Sequence, residues 1–374
     1  MVKLLKMHDE AEKPSSSAQI VASIDDLLIE IIKRLPLKKI VQLKLVSKYW
    51  NSLILDPKLC LLRNKLPSVC LMFERLEKPT PKHRQSYILS LDKSISPPTP
   101  KGIRTKDDWP CQILHSCNGL LLCVSNRAHN ISPKYYVCNP TTNKHIALPE
   151  VVLDHSMTIH GMYLAFDPSK SPHSYRVVCL LRSIVGFLLL FEAYSSETGS
   201  WRKAGDLFEP NVCNDFNDGV YWNGAIHWVN IASKPGQSVY FNLDCDQTLK
   251  VFPMPPLQDK YYYKSDYYFG ESCDHLHFVD AHKTMSEFIV YEMKMDYSEW
   301  FVKYKFNGTI FHDIMNMIVV RGKIDEDSFL VIMIGYSRIV HYNFEQKTCE
   351  TLYEIESTVR DRLLRWYSVR LFQL

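Results

Sequence analysis

The chain has 374 residues, of which 46% are hydrophobic and 12% aromatic, and its formal net charge is only +3 at pH 7. This composition is typical of a globular protein with a substantial core and excludes a predominantly disordered chain. Basic and acidic residues are interspersed along the chain, so the sequence contains no basic patch of the kind that binds nucleic acid. The eleven cysteines include no CxxC pair, which favours reduced thiols and predicts a location in the nucleus, the cytoplasm or both.

The first twenty residues combine scattered charge with Pro14 and three serines, and they lack the apolar core of a signal peptide. We therefore expect residues 1–20 to be a disordered tail. The longest apolar run is Ser183 to Phe191, about half of the ~18 residues that a membrane span needs. It is interpreted as a buried strand, and no membrane partner is predicted.

Residues 24–62 have the pattern of three short helices. Asp25 and Asp26 suit the start of the first helix, Pro36 ends it, and a second break falls near Ser47. Of these 39 residues 22 are apolar, and a unit this small buries only about 60% of its surface. Apolar surface should therefore be left for a partner, although a neighbouring domain of the same chain could also cover it.

This stretch resembles an F-box, the helical module that docks a substrate receptor onto the Skp-family adaptor of a cullin-RING ubiquitin ligase. The matching pieces include Arg34-Leu35-Pro36, Val46-Ser47-Lys48 with Trp50, and Asp56-Pro57. F-boxes usually open with Leu-Pro, where this chain has Ile24-Asp25. The resemblance implies an F-box over residues 21–62 whose adaptor-binding residues are Ile24, Leu27, Leu28, Ile31, Leu35, Pro36, Val46, Trp50 and Leu53.

From about residue 65 short β-branched and aromatic runs alternate with turn residues, which is typical of an all-β domain. Units made of an aromatic strand, a polar turn and a second strand recur every 46 to 58 residues, beginning near Tyr87, Tyr136, Tyr194, Tyr240, Tyr291 and Tyr342. A period near 50 is that of kelch-like propeller blades. We therefore predict a propeller of six blades over residues 63–374, with an irregular β-sandwich as the alternative. The C-terminal run from Trp366 to Leu374 could close the ring against an early strand.

Asn-Gly pairs precede apolar runs at Asn118-Gly119 and at Asn223-Gly224, and they predict tight hairpins. Cys273-Asp274 is interpreted as a degenerate third copy. The stretch from His115 to Pro149, with its Asn139-Pro140-Thr141-Thr142 turn, resembles the F-box-associated domain of plant F-box proteins. That resemblance implies a propeller-like domain that binds the protein marked for ubiquitination.

The sequence contains no phosphate-binding glycine loop, no GxSxG and no HExxH. Cys273, His275 and His277 would share one face of a strand, but this spacing rarely forms a closed zinc site. We therefore predict no catalytic residue, no metal and no cofactor, and we expect that the chain is not an enzyme.

A dense group of tyrosines interleaved with charge is the candidate target-binding loop, since tyrosine supplies rigid contact area. Cross-strand packing within a sheet is the alternative interpretation for these residues. The group consists of Tyr261, Tyr262, Tyr263, Tyr267 and Tyr268.

The expected fold class is thus α+β multidomain: a small three-helix F-box followed by an all-β, propeller-like domain. The expected function is that of the substrate-recognition subunit of an SCF ubiquitin ligase. Its partners would be a Skp-family adaptor, through it a cullin-RING ligase, and an unknown target protein. The alternatives are a propeller scaffold that does not dock the adaptor, or a propeller lectin or enzyme with a helical cap.

Overall fold

The structure is a computed structural model that describes residues 24–34, 43, 46–54, 70–76, 84–90, 99–100, 111–125, 133–140, 144–186, 188–209, 216–231, 237–244, 249–257, 267–281, 287–320, 328–335, 338–354 and 371–373. The chain forms two compact units, Met1–Asn64 and Lys65–Leu374. The predicted tail, residues 1–20, lies outside the described residues.

The first unit contains helices α1 (Asp25–Arg34) and α2 (Lys48–Ile54). Two carboxylates, Asp25 and Asp26, occupy the first turn of α1, where they suit the positive end of the helix dipole. The predicted break near Ser47 is confirmed, because the Ser47 hydroxyl lies just before α2 and accepts a hydrogen bond from the Trp50 amide at 3.1 Å. The segment around Pro36, with most of the predicted middle helix, lies outside the described residues.

In the second unit the described residues form six four-stranded antiparallel sheets. The first sheet has the order β24-β1-β2-β3 and joins the two ends of the domain: β1 (Cys70–Leu76), β2 (Arg84–Ser90), β3 (Thr99–Pro100) and β24 (Leu371–Gln373). The second sheet contains β4 (Gln112–Cys117), β5 (Leu120–Ser125), β6 (Lys134–Asn139) and β7 (Lys144–Ala147). The third contains β8 (Met157–Ala165), β9 (Arg176–Ser183), β10 (Leu189–Ser195) and β11 (Ser200–Phe208).

The fourth sheet contains β12 (Val220–Trp222), β13 (Ala225–Trp228), β14 (Gln237–Asn242) and β15 (Leu249–Pro253). The fifth contains β16 (Tyr267–Ser272), β17 (His275–Asp280), β18 (Glu287–Met293) and β19 (Trp300–Asn307). The sixth contains β20 (Ile314–Val320), β21 (Phe329–Ile334), β22 (Arg338–Asn343) and β23 (Thr348–Glu354).

The sheets are arranged in a closed ring. The first strand of each sheet contacts the first strand of the next, from β4 through β8, β12 and β16 to β20. Strand β24 then contacts both β20 and β4, and it pairs antiparallel with β1. The prediction that the C-terminal run pairs with an early strand is confirmed by this pairing. Radially repeated sheets of this kind make the unit a β-propeller.

Large apolar side chains fill the spaces between consecutive sheets. Trp228 of the fourth sheet packs with Phe191 of the third, and Phe278 of the fifth packs in one cluster with Trp222 of the fourth. Similar clusters join the second sheet to the third and the fifth to the sixth. Because the second to sixth sheets bury residues on both faces in this way, their strands can be apolar without alternation.

The six tyrosines that began the predicted repeat units all lie on the third strand of their sheets, namely on β2, β6, β10, β14, β18 and β22. The predicted tight turns are also present between first and second strands. The backbone φ angle is positive at both turn residues in Asn118-Gly119, Asn223-Gly224 and Cys273-Asp274, as type I′ hairpins require.

The interpretation of Ser183 to Phe191 as one buried strand was wrong. Strand β9 ends at Ser183, the chain turns through Gly186 at a φ of 109°, and β10 begins at Leu189. Ile184 and Val185 are exposed at the tip of this hairpin. In the part of the chain that the structure describes, no helix is long and apolar enough to cross a membrane.

Candidate adaptor-binding surface

Helix α1 presents apolar side chains on two sides. Leu28 and Ile32 are buried against Leu53 and Ile54 of α2, and these four residues form the core of the helical unit. Leu27 and Ile31, also four residues apart, lie on another side and are exposed. Leu28 and Ile32 have the spacing of an amphipathic helix and fill the core. Leu27 and Ile31 are additional apolar residues that the core does not use.

Five large apolar residues of the helical unit are exposed, with 40% to 61% of their surface accessible. We call this set the helical apolar surface: Ile24, Leu27, Ile31, Val46 and Tyr49. Exposed apolar residues in so small a unit make it a candidate for a protein–protein contact.

One side-chain contact links the two helices at this surface. The Tyr49 hydroxyl on α2 donates a hydrogen bond to the Asp25 carboxylate in the first turn of α1. This bond to a carboxylate raises the pKa of Tyr49. Asp25, which stands where F-boxes usually have proline, therefore positions an exposed aromatic ring beside the start of α1.

The structure separates the nine predicted adaptor-binding residues into three groups. Ile24, Leu27, Ile31 and Val46 are exposed, and Trp50 is half-buried against the core. Leu28 and Leu53 are buried in the core of the helical unit, so they pack beneath the exposed residues and are not themselves exposed at the surface. Leu35 and Pro36 lie outside the described residues.

Tyr49 was absent from the predicted set although it is exposed at this surface. Helical spacing gave no signal for Tyr49, because Val46 lies before the start of α2 at Lys48 and Leu53, four residues further along α2, is buried.

The structure describes two of the five tyrosines that were predicted to bind the target. Tyr261, Tyr262 and Tyr263 lie outside the described residues, whereas Tyr267 and Tyr268 belong to strand β16. Tyr267 stacks on Phe278 with ring centroids 5.7 Å apart. Burial raises the pKa of Tyr268, whose side chain packs between the fifth and sixth sheets. For these two residues the contacts agree with the alternative interpretation, packing within the sheets, and their assignment to target binding stays a prediction.

The histidines considered as zinc ligands bind a carboxylate. His275 Nδ1 lies 2.9 Å from one oxygen of Glu292, and His277 Nε2 lies 3.5 Å from the other. Hydrogen bonds from these histidines hold the pKa of Glu292 well below its usual range, against the effect of its burial. Among the described residues, no group of three or more His, Cys, Asp or Glu side chains could hold a metal ion.

Comparison with known proteins assigns both units. An F-box domain model matches residues 25–62, and a KIB1-4 beta-propeller model matches residues 90–313. The F-box protein At5g07610 of Arabidopsis thaliana is 32% identical to the chain, covering 93% of this chain and 89% of that protein. The F-box/LRR-repeat/kelch-repeat protein At2g27520 of the same plant is 28% identical, covering 62% of this chain and 59% of that protein. With one model on each unit and a relative matched over nearly its whole length, the chain belongs to the plant F-box proteins that carry a β-propeller domain.

Proposed function

We propose that this chain is the substrate-recognition subunit of an SCF ubiquitin ligase. The observation that carries the proposal is the helical apolar surface, which leaves Leu27 and Ile31 exposed on a helix that already fills the core with Leu28 and Ile32. A Skp-family adaptor would cover this surface and connect the chain to a cullin-RING ligase.

In this role the chain is not an enzyme. It would hold a target protein near the ubiquitin-transfer machinery, so that a rare encounter becomes effectively intramolecular. The target would bind the propeller, and the complex would work in the nucleus, the cytoplasm or both. No cofactor is needed for this activity.

We further propose that each of the six sheets is one blade, so that the propeller has six kelch-like blades. Support comes from the cyclic order of contacts among the first strands and from the tyrosine that recurs on every third strand. The F-box would complete its fold with a third helix between α1 and α2.

The direct test measures binding of the full-length chain to a purified Skp-family adaptor. Leu27→Asp and Ile31→Asp place a carboxylate in the interface, and each should weaken binding by at least about tenfold because a buried unpaired charge is costly. Val302→Asp on β19 is the matched control, since Val302 is an apolar residue of the propeller that is exposed to the same extent as Leu27 and Ile31. It should bind like the wild type.

If neither Leu27→Asp nor Ile31→Asp weakens binding, the adaptor does not bind at these two residues. A folded wild-type chain that fails to bind would favour the alternative of a propeller scaffold. In that case Asp25→Pro, which restores the residue usual in F-boxes, decides whether Asp25 is the cause.

A further inference from the structure

The hydrogen bond between Tyr49 and Asp25 joins the amino-terminal ends of the two helices. Asp25 is the first residue of α1, and Tyr49 is the second residue of α2. The core contacts lie further along both helices, where the buried residues of α1, from Leu28 onward, pack with Leu53 and Ile54. The bond therefore acts on a part of the helical unit that the core does not include.

The first turn of α1 has few other contacts that fix it. The Leu28 amide donates to the Ile24 carbonyl at 3.1 Å, so Ile24 caps the helix and Asp25 is its first residue. The amides at the start of a helix have no acceptor within that helix. Because Ile24 and Leu27 are both exposed, packing does not fix their side chains either.

The bond distinguishes Asp25 from the carboxylate next to it. Asp25 and Asp26 both lie in the first turn, where a negative charge suits the helix dipole, but the Tyr49 hydroxyl bonds to Asp25. The same bond raises the pKa of Tyr49, so the hydroxyl keeps its proton well above neutral pH and remains a donor. Hydrogen bonds to an ionised acceptor are stronger than those between neutral groups.

We propose that Asp25 and Tyr49 are positioning residues for adaptor binding. Their hydrogen bond holds the first turn of α1 against α2 and thereby fixes Ile24 and Leu27 in the orientation in which the adaptor binds them. A surface that is ordered before binding loses less conformational entropy when its partner covers it. This inference rests on the proposed function, because it assigns the two residues a role in binding the adaptor.

The test is a double-mutant cycle on the affinity of the full-length chain for a purified Skp-family adaptor. Tyr49→Phe removes the donor and Asp25→Ala removes the acceptor, and each should weaken binding about fivefold. The double variant should bind no more weakly than either single variant, because both substitutions remove the same bond. Asp26→Ala is the matched control, since it removes a carboxylate from the same turn and keeps the bond. It should bind within about twofold of the wild type.

A proline at position 25 gives a readout that a general loss of stability would not move. The first position of a helix suits proline, whose fixed φ restrains the turn without any side-chain bond. Asp25→Pro should therefore bind the adaptor at least as tightly as the wild type, both alone and combined with Tyr49→Phe. Equal loss of affinity from Tyr49→Phe with aspartate or with proline at position 25 would overturn the proposal.

Amide hydrogen exchange in the free chain separates this proposal from the proposed function. Peptides that cover α1 should exchange faster in Tyr49→Phe than in the wild type, and Asp25→Pro should abolish that difference. If the wild type binds the adaptor and Tyr49→Phe changes neither affinity nor exchange, the positioning role is wrong and the ligase role remains. If the wild type does not bind but exchange changes as expected, the ligase role is rejected, and the hold of the two residues on α1 stands.

Discussion

His115 shows how a single side chain joins three sheets of the propeller. Its Nδ1 accepts a hydrogen bond from the Leu164 amide of β8 at 3.3 Å, which leaves the proton on Nε2. Nε2 then donates to the Gly219 carbonyl, just before β12, at 2.6 Å. Burial lowers the pKa of His115, and a proton on Nδ1 would remove the acceptor that Leu164 uses.

His227 is a second buried histidine, and it gives a pH prediction. Its Nε2 lies 2.9 Å from the Tyr297 hydroxyl, and burial lowers its pKa to about 3. Unfolded histidine titrates near pH ~6.5, so below that pH the unfolded chain binds protons that the folded chain does not. The free energy of unfolding should therefore fall between pH ~6.5 and about 3, by up to about 1.4 kcal/mol per pH unit for this group.

Urea unfolding at neutral pH and at about pH 5.5 measures this effect. His227→Gln should be less stable than the wild type at neutral pH but lose less stability on acidification. His155→Gln, at an exposed position, is the control for replacing a histidine by glutamine elsewhere in the propeller. An unchanged pH dependence in His227→Gln would contradict the prediction.

At the scale of the elements, two tryptophans tie the outer strands of consecutive sheets. Trp201 on β11 donates to the Pro149 carbonyl just after β7, and Trp300 on β19 donates to the Pro253 carbonyl at the end of β15, at 2.8 Å. The same contact therefore occurs between the second and third sheets and between the fourth and fifth. In both places, a tryptophan indole on the outer strand of one sheet is hydrogen-bonded to a proline carbonyl of the preceding sheet.

Replacing either tryptophan by phenylalanine should destabilise the propeller by about 1–2 kcal/mol, because the carbonyl loses its donor while most of the aromatic packing remains. Trp300→Phe should have the larger effect, since Trp300 is the more deeply buried. The measurement is the urea midpoint at an unchanged m-value. Tyr353→Phe, on the outer strand of the sixth sheet, provides a comparison for the loss of a polar atom in a partly exposed ring. Equal stability of Trp300→Phe and the wild type would show that the hydrogen bond contributes nothing.

The elements also show what the sequence could and could not reveal. Turn chemistry predicted the three hairpins, and the recurring tyrosine predicted six strands, because positive φ angles and strand periodicity have local causes. That these are the third strands of their sheets could not be read from the sequence. The apolar run around Gly186 was predicted to be one strand because the residues of its hairpin loop are also apolar. Ile184 is exposed because the chain turns there, and the local pattern of apolar residues does not show that turn. Likewise the burial of Leu28 and the exposure of Leu27 depend on where α2 packs, which periodicity alone does not give.

At the scale of the whole molecule, closure of the ring depends on the last strand. Leu371, Phe372 and Gln373 pair with Phe73, Met72 and Leu71 of β1. The first sheet is therefore assembled from the two ends of the domain, and β24 is also the strand that contacts β20 and β4. Among the described strands, sheets two to six are each built from consecutive strands, and the first sheet is the one that requires the distant end of the chain.

Deleting residues 371–374 should consequently open the ring between the sixth and second sheets. Loss of the backbone pairing along β24 alone should cost about 2–4 kcal/mol, at about 1 kcal/mol for each hydrogen bond. Deleting Leu374 alone is the matched control, because it shortens the chain without removing the strand. Equilibrium unfolding gives the loss of stability, and amide hydrogen exchange should show faster exchange in β1 than in β9. If both deletions were as stable as the wild type, closure by β24 would not hold the ring together, and the stability of the propeller would come from the apolar clusters between its sheets.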